Sequence, residues 1–126
     1  MSDEKNCKFA KSHEWVHLEG DVATVGISEY AQKEINDIVF VELPSVGDAV
    51  TQGKACAVIE SVKAAADFQA PMTGEVTEIN DAIVDDPSLV NQSPHGEGWF
   101  FKIKVADPAE RDALMDYEAY ISSASH

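Results

Sequence analysis

The chain of 126 residues has few basic side chains: 9 Lys and Arg stand against 23 Asp and Glu, giving a formal net charge of −14. Binding to a phosphate backbone requires clustered Lys and Arg, so this balance argues against a nucleic-acid-binding role. The same charge disfavours an anionic membrane surface. What it offers is solubility and electrostatic steering toward a partner with a basic surface.

Long hydrophobic runs are also missing. The longest apolar stretches, residues 38–41 and 55–59, fall well short of the ~18 residues that a membrane span needs. Residues 1–5 show neither the apolar region of a signal peptide nor the Arg-rich character of a transit peptide. We therefore expect a cytoplasmic protein with no membrane association, or a product that has already been processed.

Cysteine is scarce, and its placement excludes two scaffold types. Cys7 and Cys56 are the only cysteines, and they form no C-x-x-C unit, which argues against a disulfide framework or a zinc knuckle. Cys56 lies in an apolar stretch and is expected to pack as a small hydrophobic residue. Apolar residues make up 44 % of the chain, enough for one packed core at this length. We expect a single domain over residues 1–126.

What the sequence does contain is a series of short β-type segments separated by Gly and Pro, typical of a small barrel or sandwich. The last segment differs: Asp107 as N-cap, Pro108 and the capping-box residue Glu110 predict a helix. Its apolar residues Leu114, Tyr117 and Ile121 share one face. The predicted elements are a hairpin over 9–26, a short helix over 30–35 capped by Ser28, strands at 37–43, 55–62, 74–79 and 99–105, a loop over 80–98, and a C-terminal helix over 107–121.

One motif points to zinc chemistry but lacks the required context. His13-Glu14-Trp15-Val16-His17 matches H-E-x-x-H, in which a helix brings both imidazoles to one zinc and the Glu serves as general base. The residues between the two histidines favour a strand, and a turn follows at once. A strand would separate positions 13 and 17 by roughly 13 Å, too far for a shared metal. We therefore predict no zinc site and reject the hydrolase interpretation.

Lys63 lies between two strand-like stretches, and its local signals conflict. Residues 63–66 (KAAA) have high helix propensity, yet they follow one strand and precede another. A lysine in such a turn is a suitable attachment point, because its amine can form a stable amide at the end of a four-carbon stem. A solvated surface lysine is the simpler interpretation, and these observations alone leave both open.

A wider set of residues between about positions 8 and 105 decides between these two interpretations of Lys63. It consists of residues 12–16 (SHEWV), 25–28 (VGIS), 30–32 (YAQ), 37–44 (DIVFVELP), 46–47 (VG), 60–65 (ESVKAA), Pro71, 74–76 (GEV), Asn80, 89–91 (LVN), 93–94 (SP) and 98–99 (GW). In this order the sequence resembles the glycine cleavage H-proteins, a family of lipoyl carriers. E-S-V-K by itself would be weak support, whereas the whole set is specific.

The resemblance implies a lipoyl-domain-like fold, a flattened β-barrel or sandwich with short helices and a C-terminal helix. Lys63 would carry lipoic acid in amide linkage on a tight hairpin, which overrides the helix propensity of residues 63–66. Gly47 and Gly74 match positions that shape the attachment hairpin. Glu60 matches a position associated with recognition by the lipoylating enzyme, although a solvated strand carboxylate is the simpler interpretation of that residue.

The resemblance also implies a function without catalysis by this chain, since the hard chemistry belongs to cofactors elsewhere. The lipoyl arm would take the aminomethyl group of glycine from the pyridoxal-phosphate-dependent glycine decarboxylase (P-protein). It would deliver that group to the tetrahydrofolate-dependent aminomethyltransferase (T-protein). Dihydrolipoamide dehydrogenase (L-protein) would reoxidise the arm. A lipoate ligase or a lipoyl/octanoyl transferase would attach it, and a monomer is expected.

A cleft for the loaded arm is the last feature that the resemblance implies. The matching positions are Ser12, Glu14 and Asp67, and the carboxylates of Glu14 and Asp67 would suit an ammonium group. Strand-end hydrogen bonding or solvation would explain the three residues equally well. Four positions depart from the family pattern. Ile35 and Asn36 stand where Leu-Gly is common, His95 where an aromatic residue is usual, and Ala66 where serine or threonine is frequent.

Two other carrier functions use the same lysine. A biotinyl carrier shares the fold, but it typically has methionines beside the lysine, where this chain has Val62 and Ala64. A lipoyl relay protein, which donates lipoyl groups to other complexes, would use Lys63 in the same way. The sequence does not separate this last role from glycine cleavage.

Overall fold

The computed structural model describes residues 7–124, and within them the chain forms two antiparallel sheets with short helices. In chain order the elements are β1 (Lys8–Phe9), β2 (Glu14–Glu19), β3 (Val22–Ile27), α1 (Glu29–Ile35), β4 (Ile38–Glu42), β5 (Ala49–Val50), β6 (Ala55–Ser61), β7 (Ala65–Gln69), β8 (Gly74–Ile79), α2 (Asp81–Asp85), α3 (Ser88–Gln92), β9 (Phe101–Val105), a 3₁₀ helix (Pro108–Ala113) and α4 (Tyr117–Ala124).

The larger sheet has six strands in the order β1-β2-β3-β9-β8-β5, and it begins with the predicted hairpin. β2 and β3 pair from Glu14 opposite Ile27 to Glu19 opposite Val22. Gly20 turns the chain between them with a φ of +64°, a conformation that glycine adopts without steric cost. The hairpin prediction is confirmed, as are the strands in 74–79 and 99–105.

The smaller sheet has three strands in the order β4-β6-β7. Residues 65 and 66 belong to β7, where Ala66 lies opposite Ile59 of β6. Strand pairing therefore overrides the helix propensity of the alanine run, as the resemblance implies. Pairing of β6 on both sides outweighs the few tenths of a kcal/mol per residue that separate alanine from other residues in a helix.

The core lies between the two sheets. Phe68 of the smaller sheet stacks on Phe100 with 4.7 Å between ring centroids, and it meets Phe101 edge-on at 5.6 Å. All three rings are fully buried. Within residues 7–124 the sheets remain separate, so the flattened sandwich is the form of the predicted fold that the chain adopts. No helix in this part of the chain has the length and hydrophobicity to cross a membrane.

Part of the segment over 80–98, predicted as loop, is helical. Asn80 caps α2 by accepting from the amide of Ala82 at 3.3 Å, and Pro87 precedes α3. Each helix has five residues and buries one apolar side chain, Ile83 or Val90. The loop prediction was wrong here because a single helical turn is too short to produce a visible periodicity.

The predicted helix over 107–121 is divided. Asp107 caps the 3₁₀ helix through the amide of Ala109, but Glu110 closes no capping box. Its carboxylate instead accepts from the amide and the hydroxyl of Thr73, both at 2.7 Å. Met115 then exchanges two backbone hydrogen bonds of 2.7 Å with Phe9, which interrupts the helix before α4.

The interruption also changes which side chain of the last helix is buried. Tyr120 is 2 % exposed, whereas Ile121, predicted on the apolar face, is 39 % exposed. Tyr120 stacks on Phe9 at 4.3 Å and joins a second small core with Trp15 and Cys7.

Candidate functional site

Lys63 lies at the tip of the β6–β7 hairpin, and the backbone of this tip is well fixed. The amide of Ser61 donates to the carbonyl of Ala64 at 2.7 Å. The hydroxyl of Ser61 accepts from the amides of Lys63 at 3.3 Å and Ala64 at 3.1 Å. The amide of Val62 donates to the carbonyl of Asp37 at 3.0 Å, which ties the tip to the start of β4. The exposed lysine stem thus extends from a defined base.

A groove of about 300 Å³ runs beside this tip. Lys63 stands on its edge, and Ser12, Glu14 and Asp67, the three residues predicted for the arm pocket, all line it. The remaining lining is mostly apolar. It consists of Ile27, Ala31, Ile35, Ile59, Ala64 and Ala66, with His13 and Glu34 as further polar members. The structure therefore brings together four residues that lie up to 55 positions apart in sequence.

Glu14 is the unusual group in this groove, because its side chain is almost completely buried at 3 % exposure. Ser12 donates its hydroxyl to one carboxyl oxygen, and the amide of Gln69 donates to the other at 3.3 Å. Burial raises the pKa of the Glu14 carboxyl to about 7, and these hydrogen bonds only partly oppose the shift. Near neutral pH, Glu14 can therefore gain or lose its proton in response to a nearby charge.

His13 forms part of the same wall and connects it to the C-terminal helix. Its φ of +76° lies in the left-handed region, at the bend just before β2. Its Nδ1 lies 2.7 Å from the hydroxyl of Tyr120, which lies 2.6 Å from the hydroxyl of Ser28. Ser28 in turn caps α1 through the amide of Ala31. Burial lowers the pKa of the His13 imidazole, although the Glu34 carboxylate opposes this effect.

The helix that the zinc motif requires is absent from this segment: residues 14–19 form β2, as predicted, and His13 lies outside it. His17 points to a different surface, where its Nε2 lies 3.4 Å from Glu19. Among residues 7–124, no group of three or more His, Cys, Asp or Glu side chains is placed to hold a metal ion.

The residues predicted to shape or mark the hairpin fall into two places. Glu60 is exposed near the end of β6, opposite Ala65 and three residues before Lys63. Gly74 instead begins β8, opposite Val50 of β5, and Gly47 lies in the turn before β5, where its amide donates to the carbonyl of Val76 at 2.8 Å. Gly47 has a φ of +95°, and a Cβ at Gly74 would come within 2.0 Å of the Lys104 carbonyl oxygen. Their influence on the Lys63 hairpin stays a prediction.

Cys56 packs against the core, as predicted, and its thiol donates to the carbonyl of Phe68 at 3.6 Å. Burial raises the pKa of this thiol to about 12, and the charge of the nearby Glu14 adds to the shift. A thiol with this pKa is almost entirely protonated at neutral pH, so it is a poor nucleophile. Cys56 is therefore unsuited to exchange with a disulfide bound in the groove.

Comparison with known proteins gives the family. A family model described as "Glycine cleavage H-protein" matches residues 7–126. The chain belongs to this family. It is 55 % identical over 112 residues to the glycine cleavage system H protein of Bradyrhizobium diazoefficiens, covering 89 % of this chain and 92 % of that protein. It is 57 % identical over 114 residues to that of Shewanella baltica, covering 90 % and 88 %.

A solved structure of the same family agrees with the fold. The crystal structure of a glycine cleavage system H protein from Mycobacterium marinum superposes with a TM-score of 0.89 at 32 % identity, covering 97 % of this chain and 98 % of that one. The predicted family and the lipoyl-domain-like fold are both confirmed. The family is that of the carrier subunit of the glycine cleavage system.

The departures from the family pattern lie in different surroundings, and Ile35 is one of those that line the groove. Ala66 lines the groove, so this position presents a methyl group to it. His95 stacks on Trp15 with 5.1 Å between centroids and lies away from the groove. Asn36 ends α1 with a φ of +68° and lies beside Lys63. The sequence identified Asn36 only as a departure from the family pattern. The signal that could have singled it out is that asparagine replaces a common glycine, which indicates a backbone conformation that other residues rarely adopt.

Proposed function

We propose that the chain carries a lipoyl group in amide linkage on Lys63 and serves as the shuttle of the glycine cleavage system. In this role it takes the aminomethyl group of glycine from the pyridoxal-phosphate-dependent decarboxylase (P-protein). It passes this group to the tetrahydrofolate-dependent aminomethyltransferase (T-protein), and dihydrolipoamide dehydrogenase (L-protein) reoxidises the carrier. The chain itself performs no catalysis.

The observation that carries this proposal is the position of Lys63. Its amine stands exposed at the tip of a fixed hairpin, on the edge of a groove. The buried carboxylate of Glu14 and the exposed carboxylate of Asp67 line this groove. A modifying enzyme can reach an amine in this position, and an arm attached there can either extend into solvent or lie back in the groove. When attached, a lipoyl group supplies a dithiolane that can be reduced and can carry a one-carbon unit.

The residues of the groove suit both parts of such an arm. Ile27, Ile35 and Ile59 offer apolar contact to a hydrocarbon chain and reduce the access of water. Glu14 and Asp67 offer acceptors to a primary ammonium group. An ammonium ion near Glu14 stabilises the carboxylate form, because an opposite charge counteracts the cost of burial. The cation would then be held by a charge-assisted hydrogen bond in a partly desolvated site.

The surface around Lys63 suits recognition by several enzymes in turn. Glu60 on β6 and Asp37, just before β4, are both exposed near the tip, within a chain of net charge −14. Such charge raises the rate of encounter with basic surfaces more than it raises affinity, which fits a carrier that must also leave each partner. We assign Glu60 to recognition by the lipoate ligase or the lipoyl/octanoyl transferase.

The direct test is intact mass followed by peptide mapping, on protein from cells supplied with lipoate and containing an active ligase. We expect one lipoyl group on Lys63 and none in the Lys63→Arg variant. Lys54→Arg is the matched control, since Lys54 is an exposed lysine just before the other end of β6, and this variant should be modified like the wild type. An unmodified wild-type mass would overturn the proposal, and a biotinyl mass would replace it with the biotinyl carrier.

A further inference from the structure

Asn36 occupies a backbone conformation that side chains rarely adopt. It ends α1 with φ of 68° and ψ of −150°, a region populated almost only by glycine. Its amide donates to the carbonyl of Gln32 at 3.1 Å, so the conformation belongs to the end of the helix. A residue held in such a region invites the question of what its side chain does.

A second asparagine fixes the junction in place. Asn91 of α3 donates its side-chain amide to the carbonyl of Asn36 at 2.7 Å and to the side chain of Gln32 at 3.0 Å. Its side-chain oxygen accepts from the amide of Ile38 at 2.9 Å. These contacts bridge α1 and β4 on both sides of Asn36, so its side chain projects from a well-defined backbone.

The side chain of Asn36 reaches Lys63. In the amide orientation that satisfies both ends, its nitrogen donates to the carbonyl of Lys33 at 3.3 Å. Its oxygen then accepts from Nζ of Lys63 at 3.1 Å. Ile35, the preceding residue, lines the groove, so the contact is made at the edge over which an arm on Lys63 would enter.

We propose that Asn36 is a positioning residue for the arm, whose side-chain oxygen accepts the N–H of the acylated Lys63. The inference rests on the proposed attachment at Lys63. Acylation converts the ammonium into a neutral amide that keeps one N–H, and a neutral carbonyl oxygen is an acceptor for either form. The acceptor thus holds the root of the arm against the end of α1, on the Ile35 side of the groove.

This contact biases the arm toward the groove. To extend toward a partner enzyme, the arm root has to give up the hydrogen bond to Asn36, which water replaces at modest net cost. A glycine at this position would relieve the backbone strain but would offer no acceptor. The asparagine therefore keeps a strained backbone conformation and provides a hydrogen-bond acceptor that influences where the arm lies.

The test uses lipoylated full-length protein labelled with ¹⁵N at lysine Nζ, with attachment on Lys63 verified by mass. The exchange rate of the Nζ amide proton is compared in wild type, Asn36→Gly and Asn36→Asp. Glycine fits the backbone conformation, so Asn36→Gly is expected to fold at least as stably as the wild type. Asn36→Asp keeps an acceptor oxygen at the same distance from the backbone.

We expect exchange about three- to tenfold faster in Asn36→Gly, the range that a net hydrogen bond of ordinary strength implies. Asn36→Asp should stay close to the wild type. Equal rates in wild type and Asn36→Gly, on verified lipoylated protein, would overturn the role of Asn36 and leave the carrier proposal standing. Absence of lipoylation on wild-type Lys63 would overturn both.

Discussion

The two walls of the groove are built differently. On the β6–β7 side, Lys63, Ala66 and Asp67 are exposed, and they are supported by the β6–β7 hairpin and its contact with the start of β4, all within residues 37–69. On the β2 side, Glu14 is 3 % exposed, and its neighbour His13 is linked through the hydroxyl of Tyr120 to a different element, α4. One wall is accessible and locally supported, while the other is desolvated and depends on contacts distant in sequence.

This difference matches the two demands on a carrier. The attachment lysine must be reached by modifying and partner enzymes, which requires exposure. A charged group at the end of the arm is held best where water is reduced, because electrostatic interactions are stronger at lower effective dielectric. Burial of Glu14 supplies that environment, and the cost is a carboxylate whose ionisation destabilises the fold.

The strongest test of the buried wall is the pH dependence of stability in Glu14→Gln. The folded pKa of about 7 lies above the ordinary value of 4.5, so the folded state binds this proton more tightly than the unfolded chain does. The stabilisation is complete below pH 4.5 and is lost as the pH rises through 7. We expect the wild type to lose about 3 kcal/mol more than Glu14→Gln between pH 4.5 and 8.

Denaturant unfolding at a series of pH values measures this difference. Glu60→Gln is the matched control, because it makes the same Glu-to-Gln change at an exposed position of β6 that does not line the groove. Parallel pH profiles for the wild type and Glu14→Gln would show that Glu14 is not desolvated in solution, and the contrast between the two walls would fail.

The second test concerns the support of the buried wall by α4. Tyr120→Phe removes the hydroxyl that lies within hydrogen-bond distance of His13 and Ser28, and it keeps the ring that stacks on Phe9. We expect a loss of about 1 to 2 kcal/mol in the free energy of unfolding, because the change leaves polar groups without this partner. Thermal or denaturant unfolding measures the loss.

Tyr117→Phe is the matched control, since Tyr117 belongs to the same helix and is only half-buried. We expect its stability to change by less than that of Tyr120→Phe. If the two variants lost equal stability, the connection from His13 to α4 would contribute nothing specific to the free energy of unfolding. The buried wall would then be as locally supported as the exposed one.

Most of the strands were predictable from sequence because their signals are local. The β2–β3 hairpin follows from β-branched residues on both sides of a Gly turn, and Ser28 is an ordinary helix cap. Around Lys63, propensity alone favoured the wrong structure, and the family resemblance, carried by residues spread over the whole chain, indicated the strand. The short helices α2 and α3 escaped prediction because each buries a single apolar side chain.

The buried wall could not be predicted because its contacts are long-range. His13 and Tyr120 are 107 positions apart, and no local pattern links them. The burial of Glu14 depends on how the start of β2 packs beside β7, where the amide of Gln69 reaches it. The sequence suggested Ser12, Glu14 and Asp67 as one set only through the resemblance. Their common groove is a property of the packing.

In the proposed function, the groove beside Lys63 holds the loaded arm through Glu14. The measurement is the rate at which ammonia and formaldehyde are released from lipoylated, aminomethyl-loaded carrier in wild type, Asp67→Asn and Glu14→Gln. Loss of a charge-assisted contact predicts release about tenfold faster in Glu14→Gln, with a smaller change in the exposed Asp67→Asn. Release from Glu14→Gln at the wild-type rate would contradict the role of Glu14 in holding the loaded arm.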